Sequence, residues 1–536
     1  MIESFTKQEE SRVFKQRLQR IHQVTGVSLA LIIYVMLFFG VLAIVLPYIN
    51  PWAKPSNHIA IVDSTKIEYE KIINPILEDK EIYSKDDISL VLPEGGYGSF
   101  MGERILRVRI PFIDDMVYDP NSYKKLDNAN LGAGFSYFLN EMHYGSPLGQ
   151  ESIYIFGFVA MGGVFLIVGG LILLLKIKYK NSVNTPTGIF SKYHRKILLW
   201  LSFPLLIIFI SGTILNFNIV FFNPVTYIAT KGESTEFNKY TVKLWYPTFF
   251  NKTQKKEEKT IKASMLPINE LLKKVQELRP NIDFKGIHLS NWGYENAKVT
   301  FGGLDYSKPF IGNEVNNPFV VLSGVDGSLI KEHKVTDASF IRMFRDSLFF
   351  LHFLQGVNDY LRVFMALIMS LCTIAVGFGV LLYLEKKARK FPIGVPVYQG
   401  LGKVSLAVMI GVIPATGLIF ALQWGLPFEI EDRLEFQKMC FAVCWVATLT
   451  WSFYRINSYQ ASKELLYLGG FLFVLTPILH SINSGFSPIE LFLTMGKIFA
   501  VDLVLFLFGL ALIYIAYKLP TKREKIQEFW ISRGVK

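Results

Sequence analysis

The 536-residue chain is 51% hydrophobic and carries a formal net charge of +12. Its apolar residues gather in runs long enough to cross a hydrocarbon core of about 30 Å, which takes about 20 helical residues, so a wholly soluble protein is excluded. Lys and Arg gather at the ends of those runs, the placement that orients membrane helices; no nucleic-acid partner is expected, and inner-membrane lipid is.

The first run, about 23–46, follows Arg12, Lys15, Arg17 and Arg20 as a signal peptide would, but it has no small-residue cleavage pattern. Residues 1–46 therefore read as a cytoplasmic N-terminus and an uncleaved first span. Residues 47–142 form a polar segment with a helix-like stretch, Thr65 to Leu77, and strand candidates at Ile88 to Leu92 and Ile105 to Ile110. Residues 143–222 hold two further runs, about 152–175 and 197–221, joined by a loop with Lys176, Lys178, Lys180, Lys192, Arg195 and Lys196.

The second polar segment, 223–345, has helical spacing over Leu266 to Leu278. It has strands at Lys298 to Phe301 and Phe319 to Leu322, the latter turning at Asp326-Gly327 into Ser328 to Lys331. Residues 346–390 carry the fourth run, about 360–384, which ends in Lys386, Lys387, Arg389 and Lys390. A C-terminal extension, 391–536, adds runs near 404–425, 437–454, 464–482 and 491–517, followed by Lys518, Lys522, Arg523 and Lys525.

The basic clusters fall on one side of an alternating chain. Glu429, Glu431, Asp432, Glu435 and Glu490 fall on the other. Both termini are then cytoplasmic, and the polar segments lie in the periplasm of a bacterial inner membrane. Cys372, Cys440 and Cys444 lie inside apolar runs and form neither a disulfide framework nor a zinc site. The expected fold is an α-helical integral membrane protein of about eight transmembrane helices with two small α+β domains. The order of span, outside domain and span occurs twice.

Four of the eight histidines stand beside the first four spans. His22 and His194 precede outward-running spans and sit at the cytoplasmic face; His143 and His352 precede inward-running spans and sit at the outer face. Two imidazoles at each face suit bis-histidine ligation of two b-type haems, since neutral imidazole binds iron and a haem takes axial ligands on both sides. Ionisable groups near hydrocarbon are costly and need a partner or a purpose. Gly26 and Gly356 each follow a histidine by four residues, one turn away on the ligand's face, where a flat macrocycle could approach. Gly40 and Gly212 follow His22 and His194 by eighteen, five turns or about 27 Å of rise, the depth of a second haem. Arg20, Lys192 and Arg195 are candidate propionate partners, though headgroup anchoring explains them equally well. His480 is expected to be a hydrogen-bonded helix residue, and His58, His288 and His333 to be surface residues of the outside domains.

At these residues the chain resembles the PepSY-associated transmembrane family, which includes iron-regulated inner-membrane proteins and ferric-siderophore reductases. The likeness rests on Arg20-Ile-His22-Gln-Val-Thr-Gly26, Met142-His143-Tyr-Gly145, Tyr193-His194-Arg195 with Ser211-Gly212, and Leu351-His352 with Gly356. Leu266 to Gly303 is similar to a PepSY domain. Residues 12 to 385 carry the resemblance; Gly356-Val-Asn-Asp-Tyr-Leu-Arg362 is less glycine-rich than the family pattern. The resemblance implies a four-helix haem-binding core in which His22, His143, His194 and His352 are axial ligands. It also implies electron flow outward to iron(III) held by a siderophore or other chelate.

No dinucleotide fingerprint follows a strand, and the cytoplasmic connections are too short for a flavin domain. A separate donor, quinol or a cytoplasmic reductase, is therefore expected for this oxidoreductase. Tyr97, Phe100, Trp245 and Trp292 are candidate chelator contacts, with a core role as the alternative. Two other functions compete: a redox-inert regulator whose PepSY-like domains bind an extracytoplasmic protease, and a siderophore or solute transporter, for which Asp502 is nearly the only intramembrane carboxylate.

Overall fold

A computed structural model describes residues 7–79, 87–95, 101–111, 115–127, 129–177, 185–217, 227–228, 231–232, 261–312, 316–390, 396–521 and 525. Tyr97, Phe100, Lys178, Lys180, Trp245, Lys522 and Arg523 lie outside the described residues, as do the side chains of Arg389 and Lys390.

In chain order the helices are α1 (Lys7–Ile44), α2 (Leu46–Trp52), α3 (Glu70–Glu78), α4 (Phe135–Tyr144), α5 (Gln150–Lys176), α6 (Pro186–Asn216), α7 (Ile268–Leu278) and α8 (Phe340–Phe353). They continue as α9 (Asp359–Lys390), α10 (Pro396–Met409), α11 (Val412–Gly425), α12 (Arg433–Tyr454), α13 (Ser458–Ser484), α14 (Pro488–Thr494) and α15 (Gly496–Lys518). Local chemistry sets several starts. Thr185 accepts a hydrogen bond from the Gly188 N–H with Pro186 in the first turn, and Asn457 and Ser487 cap α13 and α14 in the same way.

Seven stretches among the described residues are long and apolar enough to cross a membrane: α1, α5, α6, Asp359–Lys387 of α9, Gln399–Gly425 through α10 and α11, α13 and α15. The apolar runs lead one to expect eight. The difference is α12, at the predicted run 437–454, which opens on Arg433, Glu435 and Lys438 and is less apolar than the rest.

Four of these helices close into a ring. α1 packs against α5 and α9, and α6 packs against the same two, around a core that includes Ile33, Met36, Phe156, Leu205, Phe209 and Cys372. The C-terminal helices pack beside it, with α13 between α11 and α15. They share a second core with α1, α2 and α4 through Phe39, Trp52, Phe135, Phe420, Trp424 and Phe473.

The two polar segments do not form two separate domains, as the sequence suggests. β1 (Asp87–Val91), β2 (Leu106–Arg109) and β3 (Met116–Tyr118) of the first join β4 (Ile282–Ser290), β5 (Lys298–Asp305), β6 (Phe319–Ser323) and β7 (Leu329–His333) of the second. The result is one seven-stranded sheet, in the order β3-β2-β1-β4-β5-β6-β7. The junction is the antiparallel pairing of β1 with β4, Leu90 opposite Ile287. Pairing the two edges satisfies backbone groups that two smaller sheets would leave open. α3 and α7 bury Ile72, Ile76, Leu272 and Val275 in the core of this sheet. The Glu70 carboxylate of α3 accepts from the Ile268 N–H that begins α7, at 2.6 Å. Trp292 is 7% exposed within that core, a packing residue rather than a chelator contact.

Candidate functional site

The four span-flanking histidines occupy two kinds of position. His22 and His194 sit on the long helices α1 and α6, whereas His143 and His352 sit on the short helices α4 and α8 that precede α5 and α9. Both short helices end in a left-handed residue: Gly145 at φ 83° after α4 and Leu354 at φ 53° after α8. That turn frees the spanning helix to leave in a new direction while the imidazole stays against the ring.

Each imidazole packs edge-on against a glycine of a neighbouring helix. A β-carbon added to Gly40 on α1 would lie 3.0 Å from His143 Cε1, and one on Gly170 of α5 would lie 3.2 Å from His22 Cε1. The same atom on Gly212 of α6 would lie 2.9 Å from His352 Cε1, and on Gly379 of α9, 2.9 Å from His194 Cε1. Any residue but glycine would push the ring away.

The carbonyl four residues before each glycine faces the same ring. His143 Nδ1–H donates to Met36 O at 2.7 Å and His194 Nδ1–H to Ala375 O at 2.8 Å. Ser211 Oγ–H donates to Ile207 O, so it accepts from His352 Nδ1–H at 3.1 Å, with the Ile208 carbonyl beside the ring. His22 Nδ1 lies near the Leu166 carbonyl but makes no well-formed hydrogen bond to it. Holding Nδ1–H in this way fixes the tautomer and leaves Nε2 with its lone pair, as in metal-ligating histidines. No Nε2 of the four has a hydrogen-bond partner among the described residues.

The four imidazoles group in two pairs. His143 and His352 have centroids 5.9 Å apart and planes tilted by 33°. Two imidazoles on opposite sides of one metal at about 2 Å per nitrogen would have centroids about 6 Å apart, so this spacing fits two imidazoles on one iron. His22 and His194 line a cavity of 240 Å³ among α1, α5, α6 and α9, together with Gly26, Gly170, Gly379 and the cations Arg195 and Lys386. Because α1 is unbroken, the eighteen residues from His22 to Gly40 separate the two pairs by about 27 Å of rise. Among the described residues no group of three or more His, Cys, Asp or Glu could hold a metal ion. The donors come as pairs, as a bis-imidazole haem at each level would require.

Three expected details change. Gly356 is not on the ligand's helix, because α8 ends at Phe353; it lies at φ 70° in the turn to α9, against Pro309. Gly40 and Gly212 accommodate imidazole edges rather than a macrocycle face. Arg20 is exposed and outside the cavity lining, whereas Lys386, known from the sequence only as a topogenic charge, lines it beside Arg195. Lys192 lies over the Tyr193 ring instead, at 6.0 Å.

Two functional positions escape the sequence reading. Gly170 and Gly379 follow His143 and His352 by the same interval, twenty-seven residues, and that repetition is the signal that could reveal them. Arg362, 7% exposed, donates to Ile44 O and Leu354 O and so ties the end of α1 to the end of α8. It occupies the stretch that departs from the family pattern and holds the helix bearing His352.

The remaining histidines divide. His288 meets Ser89 Oγ and His333 meets Asn316 Oδ1 on the sheet domain. His58, expected at the surface, is only 5% exposed and contacts His480 of α13, because α2 turns the chain back against the C-terminal helices. A recess of 300 Å³ lies beside β7, but its Arg279 and Lys334 both pair with Glu332.

No curated protein matches the chain. Residues 19–386, more than half of its length, match the PepSY-associated TM region, and the chain therefore belongs to that family of membrane proteins.

Proposed function

We propose that the protein is a two-haem, b-type electron conduit of the bacterial inner membrane, an oxidoreductase that reduces a ferric siderophore or other ferric chelate on the side of the sheet domain. The reading rests on one observation: four imidazoles in two levels, each set edge-on against a glycine of a neighbouring helix. When bound, haem supplies one-electron chemistry at a potential set by its axial ligands and surroundings. His143 and His352 hold the level next to the sheet domain, and His22 and His194 the far level. Met36 O, Ala375 O and Ser211 orient the rings, and Arg195 and Lys386 bind carboxylates at the far cavity. A quinol or a cytoplasmic reductase is the donor in this reading. With α12 also crossing, since its 22 residues rise about 33 Å, the chain crosses eight times and both termini are cytoplasmic.

The test is an optical spectrum of the purified full chain before and after dithionite, with a pyridine haemochrome count. Two b haems per chain are expected, with stoichiometric reduction of an added ferric chelate by the reduced protein. A colourless protein from haem-replete cells would overturn the reading and leave a redox-inert PepSY-type regulator in its place.

A further inference from the structure

The C-terminal helices carry a buried polar chain that the electron path does not use. Asp502 lies on α15, His480 on α13, and His58 follows α2 on the way to the sheet domain; they are 6%, 0% and 5% exposed. His480 Nδ1 stands 2.6 Å from Asp502 Oδ2, His480 Nε2 stands 2.7 Å from His58 Nε2, and His58 Nδ1 stands 3.0 Å from Lys54 O. Trp52 Nε1–H donates to the other oxygen of Asp502 at 2.8 Å. Trp52, Trp424 and Phe486 wall the two imidazoles with aromatic rings.

Counting protons decides what this arrangement requires. Three contacts run from the Lys54 carbonyl to the Asp502 carboxyl, and each needs one proton between its atoms. The carbonyl brings none. Two neutral imidazoles and a carboxylate bring two, so wherever the shortfall is placed, two lone pairs confront each other within 3.0 Å in a site without water's screening. A third proton completes every contact. It can reside on an imidazole beside the Asp502 carboxylate or on the carboxyl beside two neutral imidazoles, and both forms have zero net charge.

We propose that His58, His480 and Asp502 form a proton-binding site that holds one more proton than the three groups carry in neutral water. The site passes that proton between the membrane helix α15 and the segment leading to the sheet domain. Moving between the two forms needs no side-chain rotation, only a shift of protons along existing hydrogen bonds. A metal ion in place of the proton does not fit. Two nitrogens at about 2 Å on a tetrahedral metal stand about 3.3 Å apart, and 2.7 Å is a hydrogen-bond distance.

Among the described residues the charged groups near the site lie on the His58 side. Arg104 opposes a positive charge on His58, and Lys54 and Arg107 are both paired with Glu103. α2 and α11 present Trp52 and Trp424, which do not titrate. Burial and the neighbouring His480 hold the His58 imidazole down to about 3, which disfavours a positive charge on His58 itself. The inference stands apart from the haem reading, because none of its residues is a proposed ligand.

The experiment is ¹⁵N-histidine NMR of the full chain in lipid nanodiscs near pH 7.5, with metal analysis of the same sample. One of the histidine pairs should show coupling across a shared N–H–N proton, and His480→Gln should abolish it. Asp502→Asn brings an amide N–H of its own to His480 Nδ1 and so completes the three contacts without an added proton; it should keep the N–H–N coupling with two neutral imidazoles. Two neutral imidazoles with no coupling in the unaltered chain would overturn the proposal whether or not any variant folds. So would one zinc or copper per chain that disappears in His480→Gln.

Discussion

Glycine serves opposite ends in the two membrane regions. In the ring of α1, α5, α6 and α9, Gly40, Gly170, Gly212 and Gly379 each open a space that a histidine ring enters from another helix. Among the C-terminal helices, Gly470 and Gly509 open space for each other's backbone. A β-carbon on Gly509 would lie 2.7 Å from Gly470 O, and one on Gly470, 2.8 Å from Gly509 O. The same residue thus brings α13 and α15 into backbone contact in one region and admits an imidazole in the other. A small residue in a membrane helix says that something comes close. Only the partner says whether that is packing or a site.

Several substitutions would sharpen or break this contrast. The largest effect is expected from His352→Ala, which should remove the haem next to the sheet domain and halve the haemochrome count while the protein still folds; an unchanged count would break the assignment of that pair. Gly470→Ala should instead leave haem per folded chain unchanged. It should cost about 1–3 kcal/mol or more of stability, because a backbone oxygen cannot move aside as a side-chain end can, and thermal unfolding in detergent would measure it. Gly379→Ala and Gly212→Ala should show the reverse balance, a modest stability cost with a displaced ring and a shifted haem midpoint potential. Gly170→Ala, where the added carbon meets His22 at 3.2 Å rather than 2.9 Å, should shift it less. Equal shifts from all three would mean that ring contact does not tune the site.

Much of this site is legible in the amino-acid sequence, and the reasons are physical. Bilayer thickness demands long apolar runs, and an ionisable residue beside them stands out, so His22, His143, His194 and His352 can be read directly. Gly40 and Gly212 show themselves by repeating the same distance from a histidine. Gly170 does not, because Gly162, Gly163 and Gly169 stand close by and helix packing explains a run of glycines; only its counterpart Gly379 distinguishes it. The strand that joins the two halves of the sheet is hidden for another reason. β4 carries a register shift between Phe284 and Gly286, so its buried residues Phe284, Ile287 and Leu289 do not alternate, and a period of two is what marks a strand in sequence. The contact of His58 with His480 spans 422 residues, and no local pattern encodes it.

The smallest predicted effect tests whether crowding, rather than glycine itself, makes the difference. Among the described residues Gly402 on α10 has no atom within 4 Å of an added β-carbon, so there it neither admits a ring nor meets a backbone. In a helix interior, alanine reduces the freedom of the unfolded chain and is preferred over glycine by up to about 1 kcal/mol. Gly402→Ala should therefore raise the unfolding temperature slightly and leave haem content and potential unchanged. A destabilised Gly402→Ala chain would mean that an unseen partner approaches α10, and that the C-terminal helices present a surface as well as a packed core.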